Sequence, residues 1–295
     1  VLLNGSSCAE TVLVSGNEVL SIQDLELTHS NGLVLNVPSV SASVSLSNVT
    51  VSGSGYSNQS QSSLGGVIYS EGNVSIDGST FTANTGGLGG VIYADGGFVS
   101  ITNSTFSSNS GLKGGVLYAK DGTTLTSQGN TFENNLTVNG GSGGVFYFSF
   151  GVDFSETGST YTSNLSNGNG GVLYANHNVG AFLPNEVSII DAIFESNEAG
   201  TGSFATGSGG VFYVYNRSTV TISGSHFEDN VATNGGAIWV VGSDDMLTIT
   251  DSVFTNNVAD ESGAIGVRAG LGGASAMTEL DISGTSFTGN EPNAS

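Results

Sequence analysis

The feature that most constrains this chain is self-similarity. Three short motifs return in one order, eight times between residues 64 and 290, with a period of 24 to 39 residues. A repeat of that length is one supersecondary unit that must stack on its neighbours to bury an apolar face. The first motif is a Gly-Gly pair entering an apolar run, as in Gly65-Gly66-Val67-Ile68-Tyr69 and Gly89-Gly90-Val91-Ile92-Tyr93; it ends at Ser262-Gly263-Ala264. The second is an aromatic residue followed three positions later by Asn. It reads Phe81 with Asn84, Phe106 with Asn109, Phe132 with Asn135, Tyr161 with Asn164, Phe194 with Asn197, Phe227 with Asn230, Phe254 with Asn257, and Phe287 with Asn290.

The third motif lies upstream of the aromatic and alternates apolar and polar residues before a turn residue, as in Val74-Ser75-Ile76-Asp77-Gly78. Two earlier copies, Leu20 to Asp24 and Val44 to Asn48, bring the count to ten. Its last column reads Asp24, Asn48, Gly78, Asn103, Gly129, Gly158, Asp191, Gly224, Asp251, Gly284; composition alone would place Gly, Asn or Asp at about three of ten. These residues tolerate positive φ, so a left-handed corner is predicted on every coil.

The strand-forming segments are β-branched and aromatic with alternating polarity, which indicates strands and not helices. The fold predicted is all-β: a right-handed parallel β-helix of about ten coils, three short strands per coil, stacked at roughly 4.8 Å. The chain reads as a single domain, 1–295, with N-terminal coils over 1–63 that lack both motifs, motif-bearing coils over 64–290, and a tail over 291–295. The Val74, Ile76 and Phe81 columns point inward; the eight motif asparagines form an amide ladder. Ser127 and Glu156 fall in the Ile76 column and interrupt its apolar run.

Tandem Gly-Gly-apolar and Phe-x-x-Asn motifs resemble the passenger domains of chlamydial polymorphic outer-membrane proteins. The resemblance covers about residues 64–290. It implies a β-helix and a role in adhesion and surface display. Segments that could build a C-terminal outer-membrane barrel are absent from this sequence, and its first two coils lack the motifs.

Composition narrows the partners. Lys113, Lys120, Arg217 and Arg268 stand against 25 acidic residues, for a net charge of −21. Such a surface repels phosphate, so nucleic acid and anionic membranes are not expected partners. No run approaches 18 apolar residues, so no transmembrane segment is expected. Beginning at Val1, the chain is expected to have lost a leader or been trimmed from a longer protein. Cys8, without an internal partner, reads as a small buried hydrophobe.

No catalytic constellation emerges. A lyase acting on acidic sugars needs basic groups that are scarce here. A hydrolase needs paired carboxylates. Glu195 and Glu228, each following a motif aromatic on successive coils, are the best such pair; with Asp229 they form the candidate cation site, and Ca²⁺ is the one cofactor considered. Asp244-Asp245 reads as a solvated turn. His29, His177 and His226 show no metal-ligand spacing.

Of nine Asn-x-Ser/Thr sequons, Asn135 and Asn164 lie in the ladder and are expected to be inaccessible, whereas Asn48, Asn58, Asn103 and Asn216 are candidate glycosylation sites. Excursions over 176–186, 198–208 and 266–279 are expected on the surface. The expected function is an extracellular structural or adhesive solenoid, Val1-Leu2-Leu3 of one subunit completing the last coil of another in a filament. The alternatives are a fragment of a larger surface adhesin binding host or glycan ligands, and a polysaccharide-active enzyme.

Overall fold

The computed structural model describes residues 2–4, 10–28, 31–56, 59, 64–177, 183–200, 206–242, 244–269 and 279–292. No helix occurs among them, and none is long and apolar enough to cross a membrane. All named strand pairs are parallel and form stacked sheets of 11, 10 and 10 strands. The chain visits each sheet once per coil: Ile92–Asp95, then Phe98–Thr102, then Thr105–Ser107. It is a parallel β-solenoid with three main sheets.

Each sheet is built from one motif. In the aliphatic sheet, Val74, Val99 and Leu125 follow one another in register, as do Ile76 and Ile101. In the aromatic sheet, Phe81 pairs with Phe106 and Phe106 with Phe132. Their rings stack through to Phe287 at centroid separations of 4.5–5.1 Å. That spacing is the strand repeat itself, so parallel pairing alone brings identical rings into contact.

All ten residues of the turn column have positive φ, from 49° at Asn103 to 67° at Gly158. The Gly-Gly pair does two different jobs. Its first member turns with positive φ from Gly89 to Gly235, a role Ser262 takes over at 58°. Its second member sits against the next coil: a Cβ on Gly90 would lie 1.9 Å from the Gly115 carbonyl oxygen. A fourth, four-stranded ladder follows the asparagines over Ser110–Lys113, Leu136–Ser142, Leu165–Ser166 and Glu198–Ala199; the three-strand reading lacked it.

The first two coils, though without the motifs, keep the columns. Leu27 and Val51 stand in register with Phe81. Aliphatic residues there fill less space than a ring, and an apolar cavity of about 40 Å³ remains among Val12, Ile22, Leu27, Leu35 and Val51. Val51→Phe extends the ring stack into it. The expected gain is about 1 kcal/mol, from roughly 24 cal/mol per Å³ of cavity filled, read as a raised denaturation midpoint.

The segment Leu2–Asn4 pairs with Glu26–Thr28 of its own chain as the first strand of the 11-stranded sheet. Val1 and Cys8 lie outside the described residues, as do 178–182, 201–205 and 270–278 of the three excursions.

Candidate functional site

The asparagine ladder is the most completely bonded feature. The backbone N–H and Nδ2 of Asn84 both donate to Asn109 Oδ1 at 3.0 Å, and Asn84 Nδ2 also donates to the Val51 carbonyl at 3.1 Å. The pattern repeats through Asn109, Asn135, Asn164, Asn197, Asn230 and Asn257 to Asn290. Each amide therefore ties three coils together. To aim its N–H along the stack, the residue before each Asn turns left-handed: Ala83, Ser108, Asn134, Ser163, Ser196, Asp229, Asn256 and Gly289 all have φ of 53–64°. Sequence reasoning missed this second corner because Ala and Ser do not signal it.

The candidate cation site is only partly assembled. Glu195 and Glu228 are in register, as expected. Glu228 Oε2, however, lies 3.2 Å from His226 Nε2, and Asp229 occupies the left-handed corner. Among the described residues no group of three His, Cys, Asp or Glu side chains gathers to hold a metal.

Asn135 and Asn164 are fully buried, whereas Asn48 and Asn103 are exposed at their corners and Asn216 is half-buried. Asn48 Nδ2 donates to Asp24 Oδ1 at 2.6 Å, so sequons on this edge also bond along the stack. Asn58 and His29 lie outside the described residues.

Among the described residues two acids are buried. Ser127 and Glu156 do not disturb the register: Ile101, Ser127, Glu156 and Ile189 align on successive coils. Glu156 Oε2 accepts from the Tyr161 hydroxyl at 2.7 Å and Oε1 from the Ser159 N–H at 2.9 Å. Asn130 Nδ2 donates to Ser127 Oγ at 2.9 Å. The one tyrosine in the aromatic stack is thus matched to the one acid in the aliphatic column. Burial raises the Glu156 carboxyl above its ordinary value, against the opposing bonds from Ser127, Ser159 and Tyr161.

Asp245 corrects the reading of a solvated turn. It is 2% exposed, in the inward corner column with Asn185 and Ser218, and accepts from the Ser218 N–H at 3.1 Å through Oδ1. Burial, with a smaller push from Asp244, raises it to about 7. Both acids fold best protonated. Their contribution is complete below the unfolded carboxylate value near 4, and is lost as pH rises through the raised folded values. Stability is therefore expected to fall between about pH 4 and pH 7. Asp245→Asn should flatten most of that fall and Glu156→Gln part of it, in denaturant melts across this range.

On the outer face of the third sheet stands an unforeseen tyrosine ladder. Tyr69, Tyr93, Tyr118, Tyr147, Tyr174 and Tyr213 align in register, followed by Trp239 and Gly266. The six rings stack at 4.8–5.4 Å. A signal lay in the Tyr that follows Val-Ile or Val-Leu in the Gly-Gly motif.

The last described coil leaves its core-column side chains exposed. Leu280, Ile282 and Phe287 are 44%, 37% and 45% exposed, although their counterparts one coil earlier, Leu247, Ile249 and Phe254, are at most 1% exposed. At the other end, Val12, Leu20, Ile22 and Leu25 are only partly buried. Comparison with known proteins finds no similar family model, no similar curated protein and no similar solved structure.

Proposed function

We propose that this chain is an extracellular structural or adhesive solenoid whose open coil seats a second copy of the same chain. The observation that carries the reading is the triad Leu280, Ile282 and Phe287, core residues by column yet 37–45% exposed. Each of these columns is covered by a following coil wherever one exists. A second copy suits the face because its own first coil also carries partly exposed apolar residues, Leu20 and Ile22, in the same columns. End-to-end contacts of this kind propagate into filaments. The resemblance to chlamydial passenger domains supports surface display, as does a charge of −21 on a Ser-, Thr- and Gly-rich chain.

Light scattering and electron microscopy test this directly. Residues 1–295 should form unbranched fibres one solenoid wide, and Phe287→Glu should return them to monomers with unchanged strand content. A monodisperse monomer, or fibres indifferent to Phe287→Glu, would overturn the reading; the first result would point to further coils of a longer chain as the natural cover. Expressed in a glycosylating host, the chain should carry sugars at Asn48, Asn103 and Asn216 and none at Asn135 or Asn164, a pattern a glycopeptide map reads.

A further inference from the structure

Lys113 poses a question the solenoid alone does not answer. In a chain with four basic residues and 25 acidic ones, a cation is expected beside a carboxylate. Lys120 obeys, lying 2.9 Å from Asp95 and 2.6 Å from Asp121; Arg217 lies 3.7 Å from Asp244. The Lys113 side chain is half-buried, and its ammonium forms no ion pair or hydrogen bond among the described residues. Its ammonium lies 5.0 Å from the centre of the Tyr147 ring. Packing does not require the charge, because Leu88 holds the corresponding position one coil earlier and packs on the same tyrosines. A leucine there avoids desolvating an ammonium, which a lysine must do. That burial lowers the Lys113 amine below its ordinary value, and no carboxylate offsets it.

The ammonium lines a groove of about 180 Å³, open on one side. Its walls are Leu112 and Lys113 on one coil and Asn139 to Ser142 on the next; Tyr147 and Tyr174 form its floor. The walls exist because Leu136–Ser142 is the longest strand of the fourth ladder, turned outward at Asn139 and Gly140 by φ of 54° and 75°. The ring faces are spent on one another: Tyr147 stacks on Tyr118 at 5.2 Å and on Tyr174 at 4.8 Å, and Tyr174 on Tyr213 at 5.1 Å. The Tyr147 ring also carries the Lys113 ammonium, so the charge is held at the groove floor by the aromatic stack and not by a carboxylate. The Tyr174 hydroxyl, without a hydrogen-bond partner among the described residues, adds a free donor to the floor.

An ammonium without a carboxylate partner and an unpartnered hydroxyl are both complementary to negative charge, within a surface that elsewhere repels it. The Asn139 amide and the Ser142 hydroxyl supply polar groups at the rim suited to sugar hydroxyls. We propose that this groove binds one acidic sugar unit, its carboxylate on the Lys113 ammonium and its hydroxyls against Asn139, Ser142 and Tyr174. The groove lies on the lateral surface, so the proposal stands apart from end-to-end association.

Glucuronate, glucose and acetate, titrated separately into the intact chain and read by chemical-shift changes of the tyrosine rings, test it. Glucuronate should saturate with a Kd on the order of millimolar, glucose and acetate binding at least about tenfold more weakly. Lys113→Met keeps the stem on Tyr147 and removes the charge; it should abolish saturation while leaving the melting temperature near that of the parent. Tyr174→Phe should weaken binding severalfold. Acetate binding as well as glucuronate would reduce the groove to a simple anion site and overturn the sugar assignment. Saturation undiminished in Lys113→Met, or no saturable shift with glucuronate, would overturn the site itself.

Discussion

Replacing Asn164 by leucine is expected to cost about 4 kcal/mol or more, from two or more buried donors left without acceptors at roughly 1–3 kcal/mol each. Asn164 Oδ1 accepts from both the backbone N–H and Nδ2 of Asn135 at 3.0 Å, and its own Nδ2 donates to Asn197 Oδ1 and to the Phe132 carbonyl. Asn135 and Asn164 are fully buried, so water cannot replace the lost bonds. The same substitution at Asn290, half-buried at the open coil, should cost distinctly less. Because coils contact only their neighbours, the damage should be local as well as global. Hydrogen exchange at the Asn135 and Leu165 amides should accelerate well before that of the first coils. Equal costs at Asn164 and Asn290 would mean that the ladder's burial does not matter.

Gly144→Ala carries the second large effect, and its cause is purely steric. The added Cβ would lie 2.0 Å from the Gly171 carbonyl oxygen and 3.0 Å from that of Leu165. Both obstacles are backbone on the neighbouring coils, so relief requires prising coils apart along ladders that cannot stretch. A loss of about 4 kcal/mol or more is expected, the size reached when a core is forced to overpack or lose bonds. Gly158 is the control. It has φ of 67° but nothing within 4 Å of a built Cβ, so alanine there should cost only about 1–2 kcal/mol for its left-handed backbone. Asn at position 158, matching Asn48 and Asn103 on other coils, should cost less again. Chemical denaturation of the three variants separates steric from conformational glycine.

The same distinction measures how far the sequence could be read. The Gly, Asn and Asp corner was legible on all ten coils, because those residues are chosen for a backbone shape that neighbours do not influence. The inward aliphatic and aromatic columns were legible too, including the inaccessibility of Asn135 and Asn164. The corner before each ladder asparagine was not. Ala83, Ser108, Ser163 and Ser196 have no preference for positive φ; the bonds their neighbouring asparagines make to the next coil impose it. Asp245 misled in the opposite direction, since its polarity suggests solvent while its column points inward.

By itself, then, the sequence determined the repeat, the parallel stacking, the first left-handed corner and the two core columns. These follow from periodicity and from single-residue conformational preference, which are properties of one coil. Only the tertiary structure decided what depends on two or more coils meeting. That includes the pairing of Tyr161 with Glu156, the steric role of the second glycine and the outer tyrosine ladder. It also includes the enclosure of Lys113 beneath a turn contributed 26 residues later by Asn139. The period varies from coil to coil, so residues that touch across the stack are separated by unequal stretches of chain. Stacking by hydrogen bonds, and not by sequence distance, chooses those neighbours.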